Sequence, residues 1–467
     1  MIEKEVILSL QEENKLLRQL LTKRDDKILQ LETRTLELIE QIHLLETKIH
    51  SLQIKKDSSN SSKPPSTDIS PPKRNQSLRE KSGRTSGGQF GHKGKTLQMS
   101  ANPDEIVEIN PNYCNKCGCD LKDSSPCIEA KRQVFDIPLV QFKVTEYRRN
   151  SKDCPRCGHK QESEFPKGIT NHVQYGPNIE SSVAYLSVYQ YLPFNRLKEC
   201  MNHLFKIDMS EGTIDNMLIR MSKKAKPVYD RIKESITQSK HGGSDESGVK
   251  VNGIKFWIWV WQTMLSTYIT YSASRGMKTI DSEFPEGLEN MILNTDRWAA
   301  QLKTKTAGHQ LCSAHILRDA NFVDKVDKLD WAKRLKEILK RGLELKKRQL
   351  EYSKNDPLVI ELEHDLDVLL HENIPKELYK TSHVLQKSLL KHRDCIFTFL
   401  YHKDTPPDNN ASERAIRNVK VKQKVSGQFK SGLEQFCILR SVIDTSIKRG
   451  VDVMFTLSSI ANLNPAE

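Results

Sequence analysis

"GGSDESGVKVNGIKFWIWVWQTMLSTYITYSAS", residues 242–274, decides how this chain folds. It reads as three β-rich runs separated by turn signals: Ser244 to Val251, Lys255 to Gln262 and Tyr268 to Tyr271. A helix-compatible stretch follows. Then comes "NMILNTDRWAA", an apolar strand ending in Asp296, and a further short strand, "HQLCSAHI". Residues 323 to about 405 read as long helices of mixed charge. After them stands "PPDNNASERAIRNVK", residues 406–420, in which Glu413 follows an Asp-Asn-Asn start signal. Beyond Glu413 every charged residue up to Lys430 is a cation, whereas a solvated helix normally alternates its charges.

Three antiparallel strands, a helix, then parallel strands and a helix is the order that builds a ribonuclease H-like fold. Asp245 lies near the middle of the first strand. Asp296 ends the fourth, at the strand end where α/β sheets hold ligands. Glu413, in the first turn of a late helix, reaches the same sheet edge if the helices between are an insertion that loops out. Three acids have a chemical reason: two magnesium ions roughly 3.5–4 Å apart clamp the attacking and leaving oxygens of a phosphodiester. Hard cations take oxygen ligands, which carboxylates supply. On this reading Arg414, Arg417, Lys420, Lys422 and Lys424 face the DNA. Plainer readings stay open: Asp245 in a turn, Asp296 as a helix N-cap, and Glu413 in a surface ion pair with Arg417. Glu246 and Asp408 are near enough to be mistaken for ligands. Cys312 and His315 read either as a metal pair or as an apolar strand end with a satisfied histidine.

The upstream chain divides by composition. Residues 1–57 step through a heptad seam (positions 10, 14, 17, 21 and onward to 52) that is almost all Leu and Ile, with Asn14 at an a-type position. This predicts a coiled coil that joins two or more copies; a long amphipathic helix packed on its own protein is the alternative. Residues 58–101 are rich in Ser, Pro and Gly and carry eight Lys or Arg against two acids. They read as a flexible basic linker, with Lys93 in "GQFGHKGK" placed to meet phosphate. Residues 102–165 hold "YCNKCGC" and "DCPRCGH", two CxxCG knuckles that predict one structural zinc on Cys114, Cys117, Cys154 and Cys157. Alternating residues between the knuckles predict a β-hairpin insert. Residues 166–240 are helical, with Ser210 as an N-cap. They read as either a helix-turn-helix or an ordinary helical hairpin. A net charge of +13 favours polyanionic partners. No run of about 18 apolar residues and no signal-peptide pattern occurs, so the expected setting is cytoplasmic, without a membrane.

These motifs, in this order, resemble the transposases of the insertion sequence 66 family. The resemblance runs from the coiled coil through "SSNSSKPPSTD", "GGQFGHKG", the two knuckles, "SEGTIDN", "DESGVKV" and "CSAH" to "DNNASERAIR". It implies a multidomain α+β protein: coiled coil, zinc ribbon, helical DNA-binding region, and a ribonuclease H-like α/β catalytic domain (residues 241–322 and 406–467) with an α-helical insertion (residues 323–405). It also implies Asp245, Asp296 and Glu413 as the catalytic triad holding two Mg²⁺ or Mn²⁺, with Cys312 and His315 in support. The implied activity is cleavage at transposon ends and joining of the freed 3′-hydroxyl to target DNA. Implied partners are double-stranded DNA and small accessory proteins of the same element. The chain departs from the pattern in having Arg297 and Trp298 after the second Asp, and "VKVKQKVSGQF" after the last motif. Two other functions compete: a non-catalytic dimeric zinc-ribbon DNA-binding protein, and a ribonuclease H-like nuclease that cannot join strands.

Overall fold

The computed structural model describes residues 2–53, 91, 97–137, 142–348 and 351–463. The chain divides into two units, residues 1–76, 164–198 and 210–467, and residues 77–163 with 199–209. Most of the basic linker, Lys93 included, lies outside the described residues. Helix α1 (Ile2–Gln53) is continuous, and its seam residues Leu10, Leu17, Leu21, Leu31 and Ile42 are exposed along it. No helix among the described residues is long and apolar enough to cross a membrane.

The second unit is built on two knuckles. A bridge between Tyr113 and Asp120 brackets the first, and strands β1 (Ser151–Asp153) and β2 (Lys160–Glu162) pair antiparallel around the other. The β-hairpin expected between the knuckles is absent from the described residues there. Its apolar positions, Val134, Phe135, Phe142 and Val144 among them, are exposed, so the alternation has no core to face.

The larger unit continues with α2 (Pro177–Ala184), which runs into a π-helical turn at Tyr185–Tyr189, and with α4 (Glu211–Thr237); α3 (Phe194–Phe205) begins in the larger unit and passes into the smaller one at residue 199. Ser210 caps α4 as its sequence suggests, its Oγ accepting from Thr213 N at 3.1 Å. Ile214, Met217, Met221, Ala225, Ile232 and Ile236 bury one face of α4 along its whole length. That helix is a core element, with Asn216 and Lys223 left toward solvent.

Next come β3 (His241–Val251), β4 (Ile254–Gln262), β5 (Thr267–Ser272), α5 (Met277–Glu283), β6 (Leu288–Thr295), α6 (Ala299–Leu302) and β7 (Thr306–Leu311). They form one mixed sheet in the order β5-β4-β3-β6-β7. The first three strands pair antiparallel, whereas β6 joins β3, and β7 joins β6, in parallel. Asn252 and Gly253 both take positive φ in the β3–β4 turn, the conformation a two-residue hairpin needs. Helices cover both faces, which is why "FWIWVWQ" is apolar nearly throughout. Trp259 and Trp261 are fully buried and stacked at 5.6 Å.

The last helices are α7 (Ser313–Asp327), α8 (Trp331–Arg348), α9 (Pro357–Leu370), α10 (Lys380–Lys391), α11 (Asn410–Ser426), α12 (Leu433–Lys448) and α13 (Val453–Ala461). The final β-strand of the sheet is shorter than expected: it stops at Leu311, and "CSAH" opens α7. Helix α7 runs through the boundary expected at residue 323. Its Ile316, Leu317, Ala320 and Val323 share a core with Trp331, Leu335, Leu362, Leu366, Leu389 and Phe397. Strand β5 is a sheet edge, and α12 satisfies it: Thr445 Oγ1 accepts from Thr267 N, and Ser441 Oγ accepts from Ile269 N, at 3.1 and 2.9 Å.

Helix α11 lies along β3 and is fastened at three points. At its start Asn409 Nδ2 donates to Ser244 O at 2.6 Å. Midway, Lys420 Nζ donates to Gly248 O. Past its end, Phe429 N donates to Lys250 O at 3.1 Å and Asn252 N donates to Phe429 O at 2.9 Å. The first fastening requires Gly243, where a Cβ would stand 2.3 Å from Asn409 Oδ1 and 2.6 Å from Ser412 Oγ. Gly243→Ala is expected to cost about 1–3 kcal/mol of stability by denaturant unfolding. Gly212→Ala in α4, where the nearest contact is an ordinary 3.7 Å, should cost nothing.

Candidate active site

The first two acids lie on and just past neighbouring strands of the sheet. Gly243 on β3 stands opposite Asn294 on β6. The pairing stops there: Asp245 lies two residues further along β3, and Asp296 directly follows the end of β6. Asp245 Oδ1 accepts from Glu246 N, and Asp296 Oδ1 accepts from Trp298 N, each at 2.9 Å, which fixes one oxygen of each carboxylate. The third acid, Glu413, rides in the first turn of α11. Burial pushes the Asp245 carboxyl well above the usual carboxylate range, and the charges of Glu246, Asp296 and Glu413 push it further. Asp296 and Glu413, 51 and 168 residues from Asp245 in sequence, are thus near enough to bear on it. Among the described residues neither Asp245 nor Asp296 has an ion-pair partner. Oxygen donors under mutual repulsion fit hard divalent cations.

Glu413 has no ion pair with Arg417. Its Oε1 accepts from Arg318 at 2.9 Å and stands 3.6 Å from His315 Nε2, both on α7. Burial and then the Arg318 charge push the His315 imidazole down to about 4, so it is neutral. The expected satisfied histidine is not what the structure holds: His315 Nδ1 is buried without a hydrogen-bond partner. Cys312, a thiol that burial pushes up to about 12, accepts from Asn409 N through Sγ at 3.2 Å. It therefore docks the start of α11, as does Asn294, whose Nδ2 donates to Pro406 O and Asp408 O at 2.7 and 3.0 Å. Glu246, its strand neighbour's opposite in facing, is committed elsewhere: it accepts twice from Arg275 and once from Gln301. Arg275 in turn stacks on Trp298 at 3.7 Å.

The cations expected to face DNA divide sharply. Arg414, Arg417 and Lys424 are exposed on α11. Lys420 and Lys422 are not available. Lys420 is the strut to Gly248, and Lys422 is buried, donating to Ser187 O and Leu192 O at 3.0 Å each. Burial pushes the Lys422 ammonium down to about 8. The physical reason is helical spacing: positions 412, 415, 416, 419 and 422 form the buried face of α11, and Lys422 falls on it. Arg297 is likewise internal, paired with Asp319 and within 3.5 Å of Ser388 on α10.

The knuckles share one geometry. Cys114 N donates to Cys119 O and Cys154 N to His159 O, both at 2.9 Å; Gly118 N and Gly158 N close each turn at 2.8 Å. Gly118 and Gly158 take φ of 75° and 70°, which glycine alone adopts without strain. Backbone N–H groups, first those of Lys116 and Arg156, hold the Cys114 and Cys154 thiols below their ordinary range, favouring the thiolate that zinc requires. Each knuckle presents its pair of sulfurs separately. Among the described residues the one group of three ligand-type side chains within 4.8 Å is Cys312, His315 and Glu413.

Sequence reasoning missed Asn409, Asn294, Arg318 and Gly243. A doubled glycine before the first acid and an asparagine in the start signal of the last helix were the available clues. Residues 172–433, more than half of the chain, match the model of the Transposase IS66 family. Residues 111–158 match the zinc-finger binding domain of transposase IS66, and residues 7–98 a family of unknown function (DUF6444). No curated protein matches the chain.

Asn409→Ala removes the bond to Ser244 and leaves that buried carbonyl unpaired. The expected loss is about 1–3 kcal/mol in denaturant unfolding, with weakened Mn²⁺ binding measured by calorimetry. Unchanged values in both would mean that Asn409 does not position Glu413.

Proposed function

This chain belongs to the Transposase IS66 family and carries its zinc-finger domain; from that premise we propose that it cuts transposon ends and joins them to target DNA through Asp245, Asp296 and Glu413. The observation that carries this reading is placement: Asp245 lies on β3, Asp296 directly follows β6, and Glu413 sits in the first turn of α11, which is fastened along β3. The sheet order and the helices inserted before α11 agree with a ribonuclease H-like catalytic domain. The three acids would hold two Mg²⁺ or Mn²⁺, which when bound supply positive charge to the attacking and leaving oxygens of a phosphodiester.

The chain's own residues set the geometry. Glu413 is held by Arg318, Asp296 by the Trp298 amide, and Asp245 by the rigid middle of β3. The proposed reaction is hydrolysis at an element's end, followed by in-line attack of the freed 3′-hydroxyl on target DNA. No side chain has to form a covalent bond to DNA. Arg414 and Arg417 stand exposed on the same helix as Glu413 and would grip the strand beside it. Cys114, Cys117, Cys154 and Cys157 would hold one structural zinc. The exposed Leu and Ile seam of α1 fits a coiled coil that pairs two copies, one for each end of the element. Small accessory proteins of the element are proposed as further partners.

The test is cleavage and joining on a labelled duplex carrying the element's terminal repeat, with Mg²⁺ or Mn²⁺. Asp245→Asn, Asp296→Asn and Glu413→Gln should still bind DNA while losing more than the roughly 10–100-fold that loss of a supporting hydrogen bond costs. Variants that cut like the wild type would sink the triad. A wild type that cuts without joining is a nuclease, and one that only binds is a DNA-binding factor. In binding titrations against salt, Arg414→Ala and Arg417→Ala should each lower the slope by about 1, and Lys422→Met should leave it unchanged. A slope moved by Lys422→Met would contradict its buried position.

A further inference from the structure

Cys312, His315 and Glu413 bring a sulfur, an imidazole nitrogen and a carboxylate oxygen within 4.8 Å of one another. Two of the three are fixed by one helical turn: Cys312 is the residue before α7, and His315 N donates back to Cys312 O at 3.0 Å. The third arrives with α11, whose start is docked on the same sulfur through Asn409 N. Neither nitrogen of His315 makes a hydrogen bond. Nδ1 is buried and unpartnered, and Nε2 stands 3.6 Å from Glu413 Oε1, beyond hydrogen-bond reach. A buried polar atom is normally paired, so Nδ1 lacks a partner.

The donor set says which partner. Magnesium takes oxygen, whereas sulfur, imidazole and one carboxylate together suit zinc and ions like it. A tetrahedral zinc needs donor pairs roughly 3.3–3.6 Å apart, so the three groups must close by about 1 Å. Glu413 Oε1 and His315 Nε2 are already near that spacing at 3.6 Å, and Glu413 is the most exposed of the three.

We propose that Cys312, His315 and Glu413 form a second zinc-type site, apart from the knuckles, which when filled withdraws Glu413 from the catalytic carboxylates and silences the protein. Ligation releases the Cys312 thiol proton to water and exchanges the Arg318 hydrogen bond on Glu413 for the ion; the fourth position remains for water. The silencing half rests on the proposed catalytic role of Glu413, and the binding half does not.

The experiment counts zinc per chain on the full-length protein after dialysis, by elemental analysis. Wild type should hold one more zinc than His315→Ala, and Cys114→Ser should lose a different one. Where His315→Ala does not fold, His315→Gln and Cys312→Ala take its place. In the cleavage assay with Mg²⁺, micromolar ZnCl₂ should suppress wild-type cutting at least about 10-fold and be reversed by a chelator. Equal zinc content in wild type and the His315 and Cys312 variants overturns the site, even where the protein cuts DNA. An extra zinc in a chain that never cuts keeps the site and overturns the catalytic reading. An extra zinc that leaves cutting unaffected overturns the silencing.

Discussion

Helix α11 is held to β3 by hydrogen bonds at its start, middle and end, and the proposed catalytic site depends on that contact. The strand contributes carbonyls of Ser244, Gly248 and Lys250, and the helix side contributes Asn409, Lys420 and the Phe429 backbone. Each bond is worth about 1 kcal/mol net. Their joint effect is geometric, because three anchors fix both the rotation and the translation of a helix on a strand. With α11 so placed, Glu413 comes into the field of Asp245. A smaller set of contacts around Gly243 permits the approach: a side chain there would occupy the space of Asn409 and Ser412.

Charge around the site is mostly committed in advance. Arg318 holds Glu413, Arg275 holds Glu246, Arg297 holds Asp319, and Lys422 satisfies two carbonyls. In a low-dielectric setting a cation with a fixed partner orients an acid but is not free for a second anion. The acids that keep no cation, Asp245 and Asp296, are the ones most in need of an external positive charge. The basic balance of the chain therefore says less about the site than its arrangement does. Of the five cations on α11 first read as facing DNA, Arg414, Arg417 and Lys424 remain exposed.

Much of the fold was legible because local chemistry dictates it. β-branched and aromatic runs with Asn252-Gly253 between them could hardly avoid a hairpin, and Ser210 announced the start of α4. The CxxCG pattern gave both knuckle turns, since Gly118 and Gly158 stand where φ is positive. Reading failed where a pattern had nothing to pack against, as at Val134, Phe135, Phe142 and Val144 between the knuckles, which stay exposed. It also failed at "CSAH", where apolar residues continue smoothly from β7 into α7 and periodicity alone marks no boundary.

By itself the sequence determined the strands, the knuckles, the long first helix and the three acids as candidates, because each is specified by residues close to one another in the chain. Only the tertiary structure decided which acids meet, since register between parallel strands and the docking of α11 are long-range. It decided likewise that Arg318 and not Arg417 holds Glu413, and that Lys420, half-buried, and Lys422, buried, are struts and not a DNA-facing row. A side chain's type is written in the sequence, but its partner is set by which faces the core hides, and that is a property of the packed chain.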